Sequence, residues 1–204
     1  MKKIIALLCT LISSQVFAYS MGVSTHPFEV DKKVITTEAT GTMATNAGSG
    51  AGIQARYYQR LTQEMHVDGG FGVSSSTATA RTLFVGSDYM FFPEYQNQPR
   101  ISLKGMLSNT KERELSRNNL GMAPTVSKGF VIQGQEIYPF LALPMGISLD
   151  NKNNQYKGTS ALSFGATGNI PVDGFQKLTA NLEANINLKN TYSSVFMGVS
   201  YPLN

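Results

Sequence analysis

Between Lys177 and Leu188 polar and apolar residues alternate without a break. Leu178, Ala180, Leu182, Ala184, Ile186 and Leu188 hold the even positions; Lys177, Thr179, Asn181, Glu183, Asn185 and Asn187 hold the odd ones. A β-strand throws successive side chains to opposite faces, so this run has one oily face and one wet face. It is long for a strand of a soluble domain and close to what a tilted strand needs to cross a bilayer. Its oily face must therefore meet either a protein core or lipid.

The same period recurs along the chain, at 33–44, 50–61, 65–75, 79–92, 100–108, 120–132, 136–149, 158–170, 177–188 and 191–203. Ile53, Ala55 and Tyr57 share a face, as do Val67, Phe71 and Val73, then Leu83, Val85 and Tyr89, then Leu141, Met145 and Ile147. Opposite them stand Gln54, Arg56, Tyr58, Asp68, Asp88, Lys104, Asn181 and Glu183. Connections over 62–64, Gln133-Gly134 and Lys189-Asn190 suit short hairpins, and Asp173-Gly174 supplies a turn. Asn109–Asn119 reads as the longest mid-chain loop, charged and solvated. Pro124, Pro139 and Pro144 fall inside expected strands and require bulges or bends. Lys128 falls on the oily face of 120–132 and must snorkel or be turned by a bulge.

Residues 1–18 read as a cleaved secretory signal: basic Lys2 and Lys3, apolar Ile4–Ile12, and Val16-Phe17-Ala18 before a cut at Tyr19. The apolar run is too short for a membrane anchor. Cys9, the one cysteine, leaves with the signal, so disulfide and thiolate chemistry are excluded afterwards. Loss of two lysines lowers the formal charge from +4 to +2, too little to suggest nucleic acid. No later segment is apolar enough for a spanning helix. Residues 19–32, with His26-Pro27-Phe28, read as a lead-in or a short plug, and 33–204 as the barrel. The expected fold is all-β: a closed antiparallel up-and-down transmembrane barrel of about ten strands, with eight as the alternative. An even count puts both barrel termini on the periplasmic side and the 109–119 loop outside.

The chain ends Phe196-Met197-Gly198-Val199-Ser200-Tyr201-Pro202-Leu203-Asn204. Gly198, Tyr201 and Leu203 reproduce the glycine–x–x–hydrophobic–x–hydrophobic spacing of the last strand in bacterial outer-membrane β-barrels. The chain resembles a small member of that superfamily. The resemblance implies recognition by the barrel-assembly machinery, with Gly198, Tyr201 and Leu203 as the signal. It departs from the pattern in three ways: Leu203 replaces a terminal aromatic, Phe196 occupies a usually polar position, and Asn204 extends past the end.

Both histidines, His26 and His66, are separated from any recognisable nucleophile, and no zinc-ligand spacing, P-loop or dinucleotide fingerprint occurs. No catalytic, metal or cofactor site is expected. His66 and Asp68 share a polar face; hairpin register sets Tyr58 opposite Asp68 with Arg56 diagonal, and Asp88 opposite Lys104 if Phe91 faces Ile101. Arg56, Asp68, Asp88 and Lys104 are expected as interior ion pairs, because buried charges must be paired. His66, Tyr58 and Glu183 join them as interior polar groups, with Phe84, Tyr138 and Phe140 filling the remaining bore. Arg81 points outward near the extracellular end, where lipid phosphates or water would meet it.

The expected function is a structural or narrow-pore role in the outer membrane, with lipid, lipopolysaccharide and the assembly machinery as partners, and a monomeric state. A surface interaction barrel acting through 109–119 and 150–157 is one alternative. A soluble periplasmic ligand-binding barrel is another, and would bury Leu182 while exposing Asn181. An outer-membrane hydrolase is the third, disfavoured by the sparse histidine inventory.

Overall fold

A computed structural model describes residues 20–203 except 46–47, 76–78, 113–114, 152–154, 171, 173 and 176. The expected signal at 1–18, the cut before Tyr19, Asp173 and Asn204 lie outside the described residues. The strands are β1 (Lys33–Thr45), β2 (Gly48–Arg60), β3 (Met65–Ser75), β4 (Thr79–Phe92), β5 (Arg100–Glu112), β6 (Leu115–Ser127), β7 (Phe130–Ile132), β8 (Gln135–Ala142), β9 (Met145–Asp150), β10 (Gln155–Asn169), β11 (Thr179–Lys189) and β12 (Ser194–Leu203). Each wall strand pairs antiparallel with its sequence neighbour, and β12 returns to β1 from Lys33↔Leu203 to Thr42↔Ser194. β8 and β9 lie end to end between β6 and β10 and count as one wall strand. The result is a closed, up-and-down barrel of ten strands.

Why the barrel is inside out follows from the alternation. Leu182 is 52% exposed and its neighbour Asn181 is 2% exposed. Ile53, Phe71, Leu83, Leu107, Leu120, Ile147 and Met197 are likewise exposed and outward. Monomeric soluble proteins rarely expose contiguous apolar patches beyond a few hundred Å². Here the apolar surface encircles the wall, which is the arrangement a hydrocarbon solvent selects. Closure pairs every one of the ten wall strands on both sides, as lipid demands. This burial pattern overturns the soluble, inward-oily alternative.

Parity also fixes register. Leu182 faces Met197, Tyr58 faces Asp68 and Asp88 faces Lys104. Phe91 does not face Ile101: a bulge between Met90 and Phe92 sets Phe92 there instead, beyond the point where Asp88 pairs. β5 and β6 remain paired to Glu112↔Leu115. The expected 109–119 loop is therefore mostly wall, with only 113–114 between the strands. Lys111 and Glu112 read as loop because they are charged, yet a strand rim tolerates charge. Asp150 and Gln155 are partners too, so residues 150 and 155–157 of the expected 150–157 loop belong to the wall.

The prolines act as the ladder rule requires. Pro144 separates β8 from β9, and Pro124 sits outward in β6 opposite Leu103. Gln133-Gly134 does form a hairpin, with φ of 52° and 80°. It joins β7 to the start of β8, rather than two wall strands, and β7 pairs only with β8. The expected strand 120–132 thus ends at Ser127, and Lys128 lies beyond it, its Nζ donating to Gln96 O at 3.1 Å.

Candidate functional site

The candidate site is the bore. Arg56, Tyr58, Lys104, Phe196, Met21, His66, Glu38 and Glu183 are each less than 2% exposed. Such residues are almost never fully buried without partners when charged, so their contacts decide what the bore can do.

Glu38, inward on β1, is a hub. Arg56 Nη2 donates to its Oε2 at 3.2 Å, as does Gln54 Nε2. Its Oε1 accepts from Asn181 Nδ2 and from Ser20 Oγ, both at 3.1 Å. Gly198 faces Glu38 across the β1–β12 ladder. A Cβ on Gly198 would lie 2.2 Å from Asn181 Oδ1 and 2.7 Å from Glu38 Cγ. The glycine supplies the hole that the hub fills.

Asp68 on β3 receives Arg56 Nη1 and Lys104 Nζ, each at 3.6 Å. Asp88 on β4 pairs with Arg100 Nη2 at 2.7 Å and stands 3.7 Å from His66 Nδ1. The expected Asp88–Lys104 pair is thus replaced: the register sets them opposite, but long side chains reach along the bore, and Lys104 selects Asp68 while Asp88 takes Arg100. Arg56 also lies over the Phe84 ring, 5.2 Å from its centroid. Glu183 finds its hydrogen bonds inside as well: Ser20 Oγ at 3.2 Å and the Met21 amide both donate to Oε2.

Glycines opposite aromatics make further room. Gly70 faces Phe84 and Gly165 faces Phe140 across their ladders. A Cβ at Gly70 would come 2.8 Å from Phe84 Cζ, and one at Gly165 would come 2.9 Å from Phe140 Cε1. Each ring folds over its glycine and closes the space above it. Phe196, at a position polar in the resembled pattern, points inward and is fully buried. Tyr138 is partly buried beside His26.

Residues 20–28 run inside this wall. Arg56 Nη1 donates to Ser20 O at 2.9 Å, Arg100 Nη1 donates to Ser24 O at 2.7 Å, and Thr25 and Thr167 hydroxyls share a bond at 3.1 Å. Met21 packs with Ala123, Phe140 and Ala142. Phe28 packs with Val34 and Tyr58. His26 meets Phe28 and Tyr138 edge-on, with ring centroids 4.6 and 5.3 Å away. Burial pulls its imidazole down to about 4, against a smaller raising pull from Glu136.

Among the described residues the cluster around His66 has no relay geometry. Tyr58 Oη and Asp88 both approach His66 Nδ1, whereas a nucleophile–base–acid chain uses the two ring nitrogens for different partners. Among the described residues, no group of three His, Cys, Asp or Glu is placed to hold a metal ion.

Glu38 and Arg100 are bore residues that the sequence reading missed, whereas Ser20–Thr25 fall within 19–32, for which a short plug was one of the two readings. Glu38 has the inward parity of Thr36 and Thr40 on β1. Arg100 opens β5 at the rim, where one charged residue looks like a strand boundary. Gly198 is inward, whereas Tyr201 is outward and exposed and Leu203 is half-buried at the end of β12.

No protein-family model matches the chain, and no curated protein matches it by sequence. Solved structures do. The β domain of the Bordetella autotransporter BrkA matches with a TM-score of 0.55 at 10% identity, covering 86% of this chain and 100% of that one. The translocator domain of autotransporter NalP from Neisseria meningitidis gives 0.44 at 12% identity, covering 88% and 91%. The KdgM porin gives 0.39 at 11% identity, covering 83% and 99%. At these identities the likeness concerns fold alone.

Proposed function

We propose, starting from a chain with the fold of outer-membrane β-barrels, that it is an integral outer-membrane protein whose bore is sealed by its own residues, and that its role is structural rather than that of an open pore. One observation carries this reading: the bore is crossed by fully buried Arg56, Tyr58, Lys104 and Phe196 and is occupied by Met21 from residues 20–28. A barrel of eight to ten strands leaves an interior that side chains can fill. Ion pairs linking β1, β2, β3, β4 and β5 across the space cannot swing aside singly without leaving a poorly solvated charge.

Both barrel termini then sit on the periplasmic side, and the strand ends at Glu112, Leu115, Asp150 and Gln155 outside. Nothing in the polar cluster has the geometry of a hydrolase, so the protein is read as a non-enzyme that works as a monomer with lipid and lipopolysaccharide around it.

Planar-bilayer recording of the refolded protein tests this. The expected result is no stable conductance, or brief and small events only. A large, persistent conductance in the unmodified protein would remove the sealed-bore reading in favour of a general porin.

A further inference from the structure

On the outer face of the wall, one sector breaks the apolar pattern. Arg81 on β4 and Lys111 on β5 both point outward and are exposed. They are direct partners across the β4–β5 ladder. Side chains so placed have Cβ atoms about 4.5–5.5 Å apart, and like charges there repel. Neither joins an ion pair with a described residue. Next along the same ladder row stand Val73 and Ile53, apolar and exposed. Two cations are thus held together at the margin of the lipid-facing belt.

Beside them the wall is hollowed. Leu83, Leu107, Leu120, Ile147, Leu149 and Tyr156, all of outward parity, line a concavity of about 640 Å³. That volume lies within the roughly 300–1,000 Å³ of small-molecule sites. Leu83 follows Arg81 by two residues, about 7 Å along the strand. The border nearest the cations is polar. Asn109 and Asn118 also line the hollow, and Asn109 Nδ2 donates to Asn118 Oδ1 at 2.7 Å and to Ser116 Oγ at 3.1 Å. The ladder rows run Arg81–Lys111–Ser116, then Leu83–Asn109–Asn118–Leu149–Tyr156, then Leu107–Leu120–Ile147. From the strand ends toward mid-wall the sector therefore passes from cations, through amides, to an apolar hollow.

We propose that this sector is a fixed seat for one phosphorylated glycolipid of the outer leaflet. Its phosphate lies between Arg81 and Lys111, its sugar hydroxyls meet Asn109 and Asn118, and an acyl chain fills the hollow. A guanidinium fork matches phosphate oxygens and an ammonium adds a point charge, so a shared phosphate replaces the repulsion of the two cations by attraction. Free phosphate would satisfy the cations and leave the hollow unfilled. A neutral lipid would fill the hollow and leave the cations opposed. A molecule carrying both parts meets both needs. The seat presupposes the outer-membrane reading, with the strand ends at Glu112 and Leu115 outside. Spin-label quenching on the wall and tag labelling at those strand ends read that independently, so a failed seat is distinguishable from a failed barrel.

The test is native mass spectrometry of the refolded, lipid-free protein in detergent micelles, titrated with bisphosphorylated lipid A. The expected result is one lipid A retained per chain. Arg81→Gln with Lys111→Gln should weaken retention about tenfold or more, and Arg81→Gln alone should give an intermediate loss. Leu149→Trp fills the hollow with both cations intact and should also weaken retention. Lys189→Gln alters an exposed lysine at the same end of β11 and should change nothing. Phosphatidylglycerol, and lipid A stripped of its phosphates, should each need about ten times the concentration or more. Heat-modifiability on gels checks that each variant is folded. The absence of a one-to-one adduct would overturn the proposal, as would unchanged retention in the double variant or in Leu149→Trp. Equal loss with Lys189→Gln, or equal retention of phosphatidylglycerol or of the stripped lipid, would also overturn it, since either means adsorption without a seat.

Discussion

Asp68 is the carboxylate whose removal most directly tests the charge network. It lies 3.6 Å from both Arg56 Nη1 and Lys104 Nζ, and the side chains of all three are 2% exposed or less. Asp68→Ala leaves two buried cations with one fewer counter-charge. Breaking a buried pair by deleting one partner typically costs about 3–5 kcal/mol. For a chain of this size that is a fall on the order of 10 °C in the thermal transition. Lys104→Met removes the cation and keeps the stem volume, so the double variant should recover part of the loss. Residues in one ion-pair network couple by about 0.5–3 kcal/mol. The informative comparison is Asp88→Ala with the same Lys104→Met. Cross-strand register sets Asp88 opposite Lys104, but Asp88 is paired with Arg100 at 2.7 Å. The account therefore predicts strong coupling of Lys104 to Asp68 and weaker coupling to Asp88. Heat-modifiability on gels and urea unfolding in detergent micelles read both cycles. Stronger coupling of Lys104 to Asp88 would show that register neighbours, not the cross-bore contacts, hold the charges, and the reasoning would fail.

Gly198→Ala should destabilise the barrel by about 1–3 kcal/mol through overpacking against Asn181 and Glu38; urea unfolding of protein refolded without any assembly machinery measures it, and an unchanged midpoint would leave Gly198 with an assembly role only. Docking of residues 20–28 should weaken in acid. His26 is held down from 6.5 to about 4 by burial, so above pH 6.5 it is neutral whether docked or released. As pH falls from 6.5 toward 4 the released form takes a proton that the docked form refuses, a loss of at most about 3 kcal/mol that grows no further below 4. Peroxide oxidation of Met21, followed by peptide mapping from pH 7 to 4, should accelerate in that window, and constant protection would refute it. A tag inserted between Glu112 and Leu115 should be labelled on intact cells without loss of folding; labelling only after permeabilisation would invert the topology.

The wall was legible because its signal is local. Leu182 outward and Asn181 inward follow from parity alone, and parity carries the register into Leu182↔Met197 and Tyr58↔Asp68. Which residues face the bore follows in the same way. Their partners do not. Lys104 and Asp68 belong to strands that are not neighbours in the sheet, and they meet only because closure brings non-adjacent strands across a narrow space. Glu38 was hidden on a strand whose oily face is marked only by Ile35, Ala39 and Met43. Strand ends failed where charge was mistaken for loop: Lys111 and Glu112 are paired with Arg81 and Ala80 in the wall. Residues 20–28 carry no periodicity, so their place inside depends on contacts with Arg56, Arg100 and Glu183 that no local pattern announces.

The central claim is that lipid lies outside this barrel and polar residues lie within. Single spin labels at 182, 199 and 181 in protein reconstituted into bilayers test it, read by collision with a lipid-soluble quencher. Leu182 and Val199 are 52% and 42% exposed, and Asn181 is 2%. The account predicts strong quenching at 182 and 199 and little at 181; equal quenching at 181 and 182 would contradict it.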